Sequence, residues 1–156
     1  MAHKFIFKEL TDISRFHPTG KTFDMDREME KVAEIWGSLI TLYGKFEYAE
    51  GNMDEAFTYI VEAIMDEKES ICFEIYHGPT GLAIGIGKEY VNSPIAKEMA
   101  DAFMKMLENT IPTDFDYVGY YWDYGTKVEL GVVNGKGYAR EIELEEEDWD
   151  RQLGIE

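Results

Sequence analysis

Met25, Met29, Val32, Trp36, Leu39 and Tyr43 recur at spacings of four, three, four, three and four residues. That period sets all six on one stripe of an α-helix, and such a stripe must be buried against a second layer. Asp24 reads as the N-cap, Asp26 and Glu28 complement the helix dipole, and Gly44 is placed to end the helix.

The rest of the chain offers strands for that layer. Residues 3–8 alternate around Phe5 and Phe7 and read as a short strand, whereas residues 11–21, with Pro18 and Gly20, read as a loop. Ile71, Phe73 and Ile75 alternate, Gly and Pro turn the chain within residues 77–81, and Leu82, Ile84 and Ile86 alternate again. That pattern is a hairpin. The opposite side of its second strand holds only Ala83, Gly85 and Gly87, so something approaches it closely. Residues 115–123 form an aromatic strand, with Tyr117, Tyr120, Tyr121 and Trp122, and Val128, Leu130 and Val132 mark the next. Asn134, Gly135, Lys136 and Gly137 then turn the chain into a last strand over residues 138–144. A bulged turn with Gly137 left-handed would align Val128, Leu130 and Val132 with Arg140, Ile142 and Leu144. A two-residue Asn–Gly turn would align them with Gly137, Ala139 and Glu141. The bulged register keeps the apolar face continuous and is the expected one.

Two further helices complete the pattern. One begins at Asn52, with Glu55 as capping partner, and carries Met53, Phe57, Ile60 and Ile64 before fading by Lys68. The other opens at Ser93 and Pro94, buries Ile95, Met99, Phe103 and Met106, and closes at Pro112. The expectation is an α+β fold with a mainly antiparallel sheet and helices on one face. Its core would be ferredoxin-like (βαββαβ), with an added C-terminal β-hairpin.

Composition sets the limits. A chain of 156 residues, 45% hydrophobic and 14% aromatic, reads as one domain over residues 1–156 that buries roughly 68–70% of its unfolded surface. Cys72 has no partner cysteine, which points to a reducing compartment, and no apolar run is long enough for a membrane span. The expected location is cytoplasmic. The net charge is −17, a field that repels nucleic acid and anionic membranes and attracts basic partners. It is zoned: residues 22–70 carry thirteen acidic against four basic groups, and the tail, residues 145–156, six against one.

No chemical motif matches that charge in specificity. Asp24, Asp26, Glu28 and Glu30 alternate, but Met29 and Ile35 stand where an EF-hand loop needs Gly and Glu. His3, His17 and His77 lack zinc spacing, and Gly81, Gly85 and Gly87 fit neither a phosphate loop nor a dinucleotide fingerprint. Cys72, between Ile71 and Phe73, reads as a buried structural thiol. No catalytic residue, metal or cofactor is therefore assigned.

The expected partner surface joins helical carboxylates, the aromatic strand and the tail: Glu30, Glu34, Asp54, Glu55, Glu62, Asp66, Tyr120, Trp122, Asp123, Glu146, Asp148 and Trp149. Carboxylates on a rigid scaffold stand in for phosphates, and Tyr and Trp are common interface anchors. The function this points to is an acidic inhibitor or immunity-type protein, with anti-defence proteins in the same class. It would neutralise a basic partner, such as a nuclease or other nucleic-acid-binding protein, without touching nucleic acid or membrane. A homodimer is compatible with that role. The alternative is a small-molecule binder or small enzyme with a pocket between the 77–87 hairpin and the 117–124 strand, using His77, Tyr120, Trp122 and Asp123.

Overall fold

A computed structural model of the chain describes residues 3–44, 57–78, 81–110, 116–123 and 126–142. Five strands form one antiparallel sheet: β1 (Phe5–Glu9), β2 (Pro18–Asp24), β3 (Phe57–Met65), β4 (Glu69–Gly78) and β5 (Gly81–Gly87). Their order is β1-β3-β4-β5-β2, so two strands adjacent in sequence occupy opposite edges. Helix α1 (Met29–Tyr43) follows β2, and α2 (Pro94–Asn109) follows β5. A second antiparallel sheet is a meander of β6 (Tyr117–Asp123), β7 (Thr126–Val133) and β8 (Lys136–Ile142). The α+β class and the antiparallel pairing match the sequence reading. The ferredoxin-like βαββαβ order does not: the described residues hold eight strands in a different arrangement.

Two elements differ from expectation, each for a local reason. The segment read as a helix from Asn52 is strand β3 from Phe57 onward; residues 52–56 lie outside the described set. Phe57, Tyr59, Val61, Ala63 and Met65 alternate into the core, between β1 on one side and β4 on the other. Aromatic and β-branched residues at a period of two override the chance helical spacing of Phe57, Ile60 and Ile64. The segment read as a loop contains β2, which pairs with β5 only from the sheet edge. Pro18 is its first residue and Gly20 (φ 81°) falls where the register shifts, both tolerated at an edge.

Helix α1 lies between the sheets. Val32, Ala33, Ile35, Trp36, Gly37, Ser38, Leu39 and Ile40 are buried, which covers the helix nearly all round. Trp36 stacks on Phe57 of the first sheet at 5.8 Å and presses its ring edge on Gly119 of the second. Gly44 (φ 91°) ends the helix as expected, its N–H on the Ile40 carbonyl at 2.9 Å. The start is later than expected: Glu28, not Asp24, is the N-cap. Helix α2 is capped by Ser93, whose Oγ accepts from the Ile95 N–H at 3.2 Å, with Pro94 at its first turn. Its Phe103 meets Phe7 and Phe73 edge-on, both at 4.9 Å between centroids.

The second sheet takes the tight register rather than the bulged one. Asn134 (φ 53°) and Gly135 (φ 77°) make a two-residue turn, and Val132 faces Gly137, Leu130 faces Ala139 and Val128 faces Glu141. The reason is α1, which passes so close that a Cβ at Gly137 would collide with the Glu30 carbonyl oxygen. Small residues on β8 matter more here than a continuous apolar face.

Residues 10–17 cross the outer face of the first sheet. Leu10 and Phe16 pack on Cys72 and Ile60, and the Phe16 ring lies 3.6 Å from where a Cβ of Gly87 would be. The close approaches on this face of β5 are tighter still: a Cβ at Gly85 would lie 2.8 Å from the Glu74 carboxylate and one at Gly87 2.8 Å from the Cys72 carbonyl oxygen. Gly137→Ala is expected to destabilise the protein by about 1–3 kcal/mol, because backbone rather than a flexible side chain blocks the new methyl. Gly135→Ala, where strain arises from φ alone, should cost less; paired urea melts compare them.

Candidate functional site

Among the described residues, the carboxylates expected to form one helical surface are dispersed and mostly engaged. Glu30 is exposed on the first turn of α1. Glu34 is half-buried, its Oε2 accepting the Gly137 N–H at 3.1 Å, so it joins helix to second sheet. Glu62 points from β3 into the covered outer face, with its side chain 8% exposed. Arg15 Nη1 donates to it at 2.6 Å while Nη2 reaches Ser70 Oγ at 2.7 Å, and Lys8 Nζ is 3.6 Å away. Asp66 sits in the left-handed turn between β3 and β4 and accepts the Lys4 N–H at 2.9 Å and His3 Nδ1 at 2.8 Å. The Lys4 N–H, then His3, holds its carboxyl below the usual range. Trp122 and Asp123 close β6. Asp54, Glu55, Glu146, Asp148 and Trp149 lie outside the described residues.

Tyr120 belongs to a group that the sequence reading did not assemble. The tight β7–β8 register places Tyr120, Glu129 and Arg140 in one cross-strand row facing away from α1. Val118 and Tyr138 lie beside that row and Lys127 beyond it. Glu129 is only 7% exposed at the centre. Arg140 grips it with both arms, Nε to Oε2 at 2.8 Å and Nη2 to Oε1 at 3.3 Å. Arg140, followed by the Tyr138 and Tyr120 hydroxyls, holds the Glu129 carboxyl below the usual range against its own burial. Lys127 Nζ stands 5.1 Å above the Tyr120 ring. Val118 and Val133 flank the cluster, 47% and 43% exposed.

This arrangement fixes what the group can do. A carboxylate with its lone pairs taken by a guanidinium and two phenols is a poor proton acceptor for a substrate. What it supplies is rigidity, locking two tyrosines and an arginine, residue types that dominate binding energy at interfaces. The sequence signal for it was the Asn134–Gly135 pair, which demands the register that turns Glu129, Tyr138 and Arg140 outward.

Of the residues expected to line the alternative pocket, His77 is placed away from solvent. His77 faces the core from β4, 3% exposed and 6.2 Å from the Phe57 ring, and its burial pushes the imidazole down to about 4. The 77–87 hairpin and the strand bearing Tyr120 also belong to different sheets. A shallow cleft does lie between α1 and the end of α2, lined by Lys31, Glu34, Ser38, Leu107 and Thr110 among others. Among the described residues no three His, Cys, Asp or Glu side chains are grouped to hold a metal ion, and no helix is long and apolar enough to cross a membrane.

Comparison with protein-family models, curated proteins and solved structures found no match to this chain.

Two outcomes follow from these environments. Because the folded Glu129 carboxyl is depressed below its ordinary 4.5, its contribution to stability is present above that value and is lost as pH falls through the folded one. Glu129→Gln should therefore show a smaller loss of stability between pH 6 and pH 3 in urea melts than the parent. Glu62→Ala should destabilise by about 1–3 kcal/mol at neutral pH, since it strips a buried acceptor from Arg15. Glu30→Ala, at an exposed position, is the control.

Proposed function

We propose that this is an acidic binding protein of the inhibitor or immunity type, acting in the cytoplasm on a basic, nucleic-acid-handling protein. The observation that carries the reading is the exposed run Asp24, Asp26, Glu28 and Glu30 leading into α1, in a chain of net charge −17. The one cation within the run, Arg27, is turned to Glu108 at 2.7 Å and leaves the carboxylates to solvent. Such a row draws in a basic surface from a distance and keeps nucleic acid away. The Tyr120, Tyr138 and Arg140 platform supplies the short-range contacts that charge alone does not. The buried, neutral His77 weighs against the pocket reading.

Affinity capture from the native cell at several salt concentrations tests this proposal. A basic protein retained at low salt and released as salt rises is the expected result. The triple variant Asp26→Asn, Glu28→Gln, Glu30→Gln should slow its association about tenfold or more at low salt, with thermal stability nearly unchanged. Tyr120→Ala should instead speed dissociation. Absence of a basic partner at low salt, or a partner indifferent to salt and to the triple variant, would overturn the reading.

A further inference from the structure

The start of β1 is tied to two distant parts of the fold through one imidazole. His3 Nδ1 lies 2.8 Å from Asp66 Oδ2 in the β3–β4 turn, and its Nε2 lies 4.0 Å from Glu98 Oε2 on α2. The backbone repeats both links: the His3 N–H donates to Glu98 Oε1 at 2.8 Å, the Lys4 N–H to Asp66 Oδ1 at 2.9 Å, and the Asp66 N–H to the Lys4 carbonyl at 2.8 Å. We propose that His3 is a proton-operated clasp that fastens the leading end of edge strand β1 to the β3–β4 turn and to α2.

The charges around the ring support closure in the protonated state. Asp66 faces it from the turn and Glu98 from α2, and both favour the imidazolium. Lys68 and the Lys4 N–H act on Asp66 rather than on the ring, and keep that carboxylate charged. The hydrogen bond to Asp66 accordingly raises the His3 pKa above 6.5, and its loss of solvation only partly opposes this. A group raised in the folded state contributes below its unfolded value, and the contribution disappears as pH rises through the folded one. The clasp is thus tightest while the ring is protonated and weaker once it is neutral, when the charge attraction to Asp66 and Glu98 is lost and the backbone bonds remain. Both partners are partly exposed, 35% for His3 and 46% for Asp66, so solvent screens the pair and the weakening is small. Phe5 and Phe7, packed on the core, hold the rest of β1.

Nuclear magnetic resonance across pH 5–9 tests the clasp on the whole chain. The His3 ring should titrate with a midpoint above 6.5, and the Lys4 and Asp66 amides should shift with the same midpoint. Their exchange protection, corrected for the intrinsic effect of pH, should fall at the alkaline end while that of Val61 is unchanged. His77, at about 4, titrates outside this window. His3→Gln should abolish the shared step. Asp66→Asn, which suits a left-handed turn at φ 50°, should lower the His3 midpoint. A midpoint at or below 6.5, a step surviving in His3→Gln, or a midpoint unmoved by Asp66→Asn would overturn the proposal.

Discussion

Trp36 is the wedge on which the architecture depends. Its indole is sandwiched between Phe57 of the five-stranded sheet and the bare backbone of Gly119 in the three-stranded one. A ring of that size, 4% exposed, binds two sheets to a single helix and leaves the middle of α1, residues 32–40, almost no solvent face. The demand then passes to the second sheet. Gly119 and Gly137 face α1 because no side chain fits, and Glu34 uses the narrow gap to accept the Gly137 N–H.

Much of the framework was legible because its periodicities are strong. The α1 stripe, the Ser93–Pro94 start of α2, the 71–86 hairpin and the small-residue face of β5 all stand out in the sequence and in the fold. What was not legible depended on neighbours. Phe57, Ile60 and Ile64 satisfy a helical stripe and also belong to a strand, and only placement between β1 and β4 decides between them. The last hairpin turned on the same kind of context: its apolar pattern favoured one register, and the nearness of α1 imposed the other.

The charges teach a related lesson. Counting carboxylates located the acidic zones but not their employment. Glu62 neutralises Arg15 beneath a crossing segment, Asp66 organises a turn, and Glu34 bridges helix to sheet. Among the described residues, the run at 24–30, which the sequence had marked as an ordinary helix start, leaves its carboxylates to solvent at the head of α1. Glu129, absent from the expected surface, is the one around which tyrosines and an arginine gather. A carboxylate's role is set by which donors the fold delivers to it, and composition carries no record of that.

The strand order β1-β3-β4-β5-β2 has a consequence for how the chain comes into being. The first two strands leave the ribosome before either of their pairing partners exists. β1 must wait for residues 57–65 and β2 for residues 81–87, while residues 10–17 between them must later lie across the finished meander. The amino-terminal ribbon is made early and placed late, as a strap drawn over a package once its contents are in order. Contacts this distant in sequence slow folding and leave Phe5, Phe7 and Phe16 uncovered during synthesis. The net charge of −17 acts on those unfinished copies too, holding apart chains whose aromatic strands are still waiting for a sheet.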